Sequence, residues 1–495
     1  MISEKLKIHD NFQFEVKQSY SLSGKGRKDD TYFVQTFFFI PNNLNINRET
    51  YSKEDFYKDM RAFVRLRTPF FTLRDLSADH NAIDRIRHSL DELHRKPSRE
   101  TASAYSYHVK LFCLIYKKAL SIQIKTIVKS RSEEETVRLI EEFLSCSTAV
   151  LDAFREIKKS ELHGLDVDER TTFLFADEYM SLRTETHTCR MMDILAKSAP
   201  DILGRFRERC VALIHRESSY RASCGYPSIP SHEGDNESFV FRQASLKKFL
   251  SNILYLETRV EKGDKYAEQI IYSLAAGIAM VFATMVAFIG QTWYGGISLP
   301  FFFALVVSYM FKDRLKDLLR SYLYQGLHRR LYDRKRTIYH SFHEKIGLCR
   351  ESFNMIDERQ VPKRIIALRG RDRLTDIDNS MVSENVILYR KYVRLYRKRS
   401  TDIMRRYATN DIIDIMRFNI QHFTRSMDNP EKRIFIPTED GFRKAYGMRV
   451  YHINIITYFL VDGVEHIRRF RLVLNRNGIR RIEEVLNHTL SSGNG

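Results

Sequence analysis

Four short stretches hold residue types that could bind a metal or a phosphate. Asp166, Asp168 and Glu169 in "GLDVDER" gather three carboxylates, oxygen donors that a hard cation would accept. The same run also suits a loop entering a helix, where acidic side chains serve the free backbone N–H groups. His187 and Cys189 in "THTC" are of metal-ligand type, yet no second pair stands at zinc-ligand spacing. "DIDNS", Asp376 to Ser380, begins like a calcium loop and lacks its glycine and terminal glutamate. Gly24, Lys25, Gly26 and Lys28 suggest a phosphate cradle but miss the GKS/GKT ending, and a hairpin turn accounts for them. HExxH, GxSxG, Walker and Rossmann patterns are missing from any suitable context. These stretches give no catalytic residue, metal ligand or cofactor contact, and the chain reads more as a non-enzyme than as an enzyme.

A basic and aromatic run is more informative. In "LYRKYVRLYRKRS", Leu388 to Ser400, a helix would gather Tyr389, Val393 and Tyr396 on one side and Arg390, Arg394 and Arg397 in an adjacent stripe. Arg469 and Arg471 add cations further along. Such a set suits anionic lipid headgroups, nucleic acid or an acidic protein, unless it is simply a solvated face. Lipid ranks ahead of nucleic acid, since no recognition-module motif accompanies the charge and a membrane segment precedes it.

That segment is the longest uncharged interval in the chain. Charged residues make up 29% of the 495 residues, but none occurs in the 43 between Glu268 and Lys312. A single span needs about 20 residues, so the interval predicts two transmembrane helices, near residues 268–290 and 297–311, joined around "QTWYGG". Small residues at Ala276, Ala279, Ala283 and Ala287 on the first helix, and at Ala304 and Ser308 on the second, predict close packing of the pair or an oligomer seam. From Lys312 to Arg336 nine Lys/Arg stand against three Asp, which predicts a cytoplasmic flank and, for two spans, both termini in the cytoplasm. The net charge of +19 lies mostly on this side: 43 Lys/Arg face 40 Asp/Glu up to Glu268, and 38 face 22 from Lys312 on.

The rest of the chain must position these features. Alternation of Phe12, Phe14, Val16, Tyr20 and Leu22 with polar residues predicts a strand, and "TYFVQTFFFI" its hairpin partner. Helical periodicity then runs from Ser52, spaced as an N-cap to Asp55, to about Ser219. A long helix is expected from Phe239 into the membrane, and Ile412, Met416, Ile420, Phe423 and Met427 mark one helix face. Around Asp462-Gly463 two strands should pair, with Tyr451, Ile453, Ile455 and Phe459 opposite Leu474, Leu472, Phe470 and His466. Six scattered cysteines give no disulfide framework.

The expected fold class is an α+β membrane protein. It comprises a cytoplasmic β-hairpin and helical bundle (1–238), a helical stalk (239–267), a two-helix transmembrane hairpin, a basic juxtamembrane helix (312–346) and a small, basic cytoplasmic α+β domain (347–495). The expected function is a scaffold, sensor or regulator in a cell membrane, inner or plasma, binding anionic lipid headgroups and a protein partner or further copies of itself. The alternatives are a membrane-tethered enzyme acting on a nucleotide, lipid or nucleic acid, and an oligomeric two-span pore.

Overall fold

The computed structural model describes residues 2–21, 29–78, 81–160, 162, 164–231, 233–263, 265–294, 299–328, 332–340, 344–369, 384–396, 411–461 and 464–485. The chain divides into two compact units. The first is built within residues 1–65, 256–404 and 411–495, the second mainly within 66–255.

The first unit carries most of the strands: β1 (Ile2–Asp10), β2 (Gln13–Ser21), β3 (Asp29–Pro41), β4 (Met60–Leu66), β5 (Tyr255–Lys262), β6 (Arg334–Tyr339), β7 (Lys345–Ile356), β8 (Glu384–Tyr396), β9 (Asp411–Asn419), β10 (Glu431–Thr438), β11 (Gly441–Met448), β12 (Tyr451–Val461), β13 (Val464–Asn475) and β14 (Gly478–Glu484). Twelve of them form one sheet in the order β1-β2-β9-β4-β5-β6-β7-β8-β3-β12-β13-β14, while β10 and β11 pair only with each other. The large sheet curls into a nearly closed, antiparallel, barrel-like form, and its first and last strands meet where Ile479 N donates to Asn11 O at 2.6 Å. Gly478 makes that approach possible, because a Cβ there would lie 2.0 Å from the Asn11 carbonyl oxygen. Alternate residues fill the interior: Phe14, Val16, Phe38, Ile387, Tyr389, Phe418, Ile455 and Leu472 belong to one buried cluster.

The helices are α1 (Lys53–Asp59), α2 (Leu73–Ala78), α3 (Asn81–Arg95), α4 (Arg99–Lys129), α5 (Glu133–Ser160), α6 (Val167–Ser198), α7 (Pro200–Ser223), α8 (Glu237–Ser251), α9 (Lys265–Tyr294), α10 (Leu299–His328), α11 (Lys363–Arg369) and α12 (Gln421–Thr424). Helices α2 to α8 make up the second unit, an all-helical bundle. The expected N-cap is present: Ser52 and Asp55 form a reciprocal capping box on α1. Helix α11 covers part of the outer face of the sheet, with Val361 and Ile365 against Phe37, Phe39 and Ile456.

Several expectations are corrected. An N-terminal hairpin and a C-terminal α+β domain do not exist as separate bodies. Strand β2 pairs with β1 and β9, and β3 pairs with β8 and β12, so both ends of the chain share one sheet. "LYRKYVRLY" and "DIIDIMRFN" are strands β8 and β9, not helices; pairs four apart, such as Tyr389 with Val393 and Ile412 with Met416, share one face in either form, so the spacing alone did not separate them. The stalk is also absent, since β5 interrupts the helical run between α8 and α9. A two-span membrane hairpin is not shown either. Among the described residues only α9, over Gln269–Trp293, is long and apolar enough to cross a membrane. The described uncharged part of α10 ends at Phe311, giving roughly 20 Å of helix against a hydrocarbon core of about 30 Å. A transmembrane pair with cytoplasmic domains on either side therefore has no structural footing beyond that one helix.

Candidate functional site

Helices α9 and α10 are an insertion between two neighbouring strands. Strands β5 and β6 pair antiparallel up to Lys262 opposite Arg334. There the chain leaves the sheet: Gly263 N donates to Asp333 O at 2.7 Å. Only glycine fits, because a Cβ on Gly263 would lie 1.8 Å from the Tyr332 carbonyl oxygen. The root is pinned from other directions too, since the Asp333 carboxylate accepts from Lys53 Nζ and Tyr57 OH at 3.2 Å each and from Phe353 N at 2.7 Å.

Beyond this root the two helices run antiparallel. Arg320 of α10 lies 3.8 Å over the Tyr272 ring of α9, and a Cβ on Gly290 would touch Phe301 at 3.1 Å. The small residues named from the sequence line the seam to different degrees: Ala279 and Ser308 are buried, while Ala276, Ala283, Ala287 and Ala304 are half-buried. Ala275 and Ile271 are buried there as well and had not been singled out. The stripe follows residues 271, 275 and 279, one helical position away from a reading centred on Ala276.

What faces outward is unlike an aqueous surface. On α9, Ile270 (66% exposed), Met280 (60%), Val281 (62%), Phe288 (67%) and Trp293 (81%) stand free of protein, and on α10 so do Leu299, Phe302, Phe303, Met310 and Phe311. Scattered apolar residues are ordinary on a surface, whereas this set is contiguous. The antiparallel pairing also limits its depth. Interpolating between the Tyr272–Arg320 and Gly290–Phe301 contacts puts Lys312 level with Ala279 or Met280. Below that level α10 carries Arg314, Lys316 and Arg320 together with Asp313 and Asp317. The uncharged end of the pair is thus roughly 20 Å deep, more than one leaflet's half of the hydrocarbon and less than the whole.

The cations expected to form one stripe are dispersed. Arg390 and Arg394 lie on the outer face of β8, where Arg390 Nε donates to Ser352 Oγ at 2.9 Å and Arg394 Nε to Asp29 Oδ2 at 2.7 Å. Arg397 lies outside the described residues. Arg469 is buried, with Nη2 3.4 Å from Asn454 Oδ1, and Arg471 stands 3.5 Å from Glu483. Strands β3 and β12 separate Arg390 from the β13 arginines, a distance of roughly 14 Å at ordinary strand spacing.

Reading β8 as a helix also concealed Lys391, which points into the barrel. It pairs there with Asp414 of β9. Beside it Glu351, fully buried, accepts from Arg336 Nη2 at 3.1 Å and Tyr389 OH at 2.9 Å. Burial alone would raise the Glu351 carboxyl; the Arg336 and Lys391 cations and the tyrosine hydroxyl bring it below its ordinary value. Burial pushes the neighbouring Cys349 thiol up to about 12, so it is inert as a nucleophile. The cavity between Arg336, Lys391 and Asp414 is about 10 Å³, room for a single water molecule. So small a space admits no substrate, although Arg336 Nε and Nη1 and Asp414 Oδ1 are buried there without a hydrogen-bond partner among the described residues. Alternation of charge with apolar residues along the strands was the only sequence signal for it.

The bundle holds a second buried network. Asp177 accepts from Arg155 Nε (3.2 Å), Lys158 Nζ (3.4 Å), Tyr220 OH (2.6 Å) and Tyr226 OH (2.8 Å). Arg155 also grips Glu217, and Arg242 clamps Glu178 at 3.0 and 2.6 Å. A carboxylate held by four donors is a fastening between helices. Of the metal-ligand types in this unit, Asp166 is the N-cap residue of α6, and Asp168 and Glu169 lie in its first turn. His187 bonds its own helix, Nδ1 to Arg183 O at 2.7 Å, and Cys189 is exposed. Among the described residues no three His, Cys, Asp or Glu side chains gather around a point. "DIDNS" and the Gly24–Lys28 turn lie outside the described residues.

No protein-family model matches this chain, and neither a curated protein nor a solved structure resembles it significantly.

Proposed function

We propose that this protein works at a membrane surface as a scaffold or regulator, with the apolar end of the α9/α10 pair entering the lipid from one side. The observation that carries the reading is the contiguous, largely exposed apolar surface of the pair, rooted between β5 and β6. Moving one large apolar side chain from water into hydrocarbon gains about 1.5–3 kcal/mol, and at least ten such side chains stand outward on the pair. The depth of roughly 20 Å suits insertion that stops short of the far headgroups, with Lys312, Arg314, Lys316 and Arg320 at the near interface. Cations at that level attract anionic headgroups by about 1 kcal/mol each. They also favour the cytoplasmic side. Arg390 and Arg394 contribute less in this reading, because each already has a partner on the sheet.

Trp293, the one tryptophan of the chain, tests both the contact and its depth. With full-length protein in vesicles, its emission should shift to the blue and be quenched most by lipids brominated near the chain ends. Phe288→Glu with Phe302→Glu should abolish flotation with the vesicles. Trp293 emission unchanged by vesicles would refute lipid contact, and strongest quenching by bromines near the headgroups would refute the one-sided insertion.

A further inference from the structure

The strands β10 and β11 point to a second interface. They pair in register from Glu431 opposite Met448 to Thr438 opposite Gly441 and join no other strand among the described residues. An isolated two-stranded ribbon is marginal in water, because neither face is covered. Here both faces are apolar and exposed. Phe435 (58% exposed), Phe442 (64%), Tyr446 (66%) and Met448 (44%) share one face, with the Phe435 and Phe442 rings edge-to-face at 5.2 Å; Ile434 and Ile436 lie on the other.

Charge along the ribbon identifies what covers it. The turn holds Glu439 and Asp440, and the stem holds Lys432, Arg433, Arg443 and Lys444 against the single Glu431. A lipid or nucleic-acid surface approached by the leading end would meet two carboxylates first, and like charges repel. Arg433 and Lys444 point from the aromatic face, so two copies stacked through it, antiparallel about a two-fold axis, lay each acidic turn over the other's basic stem and bring Phe435 against the partner's Phe442. We infer that the β10–β11 ribbon is a self-association arm whose partner is the same ribbon of a second copy of this chain. Each ribbon is roughly 26 Å long and about 10 Å wide, so it buries a few hundred Å² per partner, at the low end of protein interfaces. The association is therefore weak and reversible. It does not depend on the membrane reading.

Charge exchange on the full-length chain in a nonionic detergent tests this by sedimentation velocity over a range of concentrations. The native chain should show a concentration-dependent monomer–dimer equilibrium. Glu439→Lys with Asp440→Lys should weaken it at least tenfold, and so should Arg433→Glu with Lys444→Glu. A mixture of these two charge-reversed proteins should associate again, since each reversed end then meets its opposite. All four positions are exposed, and circular dichroism would verify that the fold is unaltered. A native chain that stays monomeric throughout, dimerisation indifferent to the reversals, or a mixture that fails to associate would each overturn the proposal. So would loss of vesicle or RNA binding on Phe435→Ser with Phe442→Ser while dimerisation persists.

Discussion

Helices α4 and α9 are nearly equal in length, 31 and 30 residues, and both carry many Ala and Ile, yet their apolar residues have opposite fates. In α4 the run Val109–Tyr116 is buried on every side by other helices of the bundle. The apolar window of α9 is only 17% buried, and among the described residues its main helical neighbour, α10, covers just the small-residue seam. Apolarity alone therefore does not say what phase buries a side chain. In α4 the chain supplies the partner; in α9 it supplies a root and a seam, and leaves the large side chains to something else.

That contrast can be broken most directly by truncation. Phe112, 2% exposed and stacked on Phe154 at 5.6 Å, should cost about 3–5 kcal/mol when replaced by Ala, because the packed bundle leaves a cavity. The check is urea unfolding followed by pulse labelling of buried Cys113. Phe288→Ala should move the same transition by less than about 0.5 kcal/mol. A comparable effect of both would mean that α9 is packed against protein after all.

Next comes pH. Burial lowers His187 of α6 to about 4, with the Arg183, Lys117 and Arg190 cations adding to the depression. The folded state then binds the proton less readily than the unfolded chain, whose histidine titrates near 6.5. The bundle should be fully stable above pH 6.5 and lose up to about 3 kcal/mol as pH falls from there towards 4. His187→Gln should flatten the Cys113 labelling profile over that window. Nothing ionises in this range between Gln269 and Phe311, so vesicle flotation should stay constant from pH 7 to 5. Flotation that tracks the bundle's pH profile would join what the comparison separates.

The smallest expected effect sharpens the seam itself. Ala279, 1% exposed, has no room for a larger side chain, and Ala279→Leu should cost about 1–3 kcal/mol by forcing α9 and α10 apart. Hydrogen exchange in α9 and α10 would register it, with the α4 amides as internal control. Gly277→Leu, on the open side where a Cβ meets nothing within 4 Å, should leave tertiary packing unchanged. Equal exchange in the two variants would remove the seam from the account.

Some features were legible because they are local. The capping box at Ser52 and Asp55 needs only its own helix turn. The β12–β13 pairing, Tyr451 with Leu474 through Phe459 with His466, follows from a two-residue connection and a period of two. The uncharged interval marked α9 and the first part of α10, although α10 continues past it to His328 and a two-span pair is not shown. Tertiary structure alone decided the rest. Strand β2 pairs with β9 from Gln13 opposite Asn419, and no periodicity within either segment names a partner that far along the chain. Whether "LYRKYVRLY" is a helix with an arginine stripe or a strand with Lys391 turned inward depends on the Asp414 and Glu351 carboxylates arriving from other strands to receive that lysine. The depth of the apolar pair was likewise undetermined until the antiparallel seam set Lys312 beside the middle of α9. Local composition states what a segment must avoid; which groups it meets is settled by contacts distant in sequence, whose energies outweigh local preference.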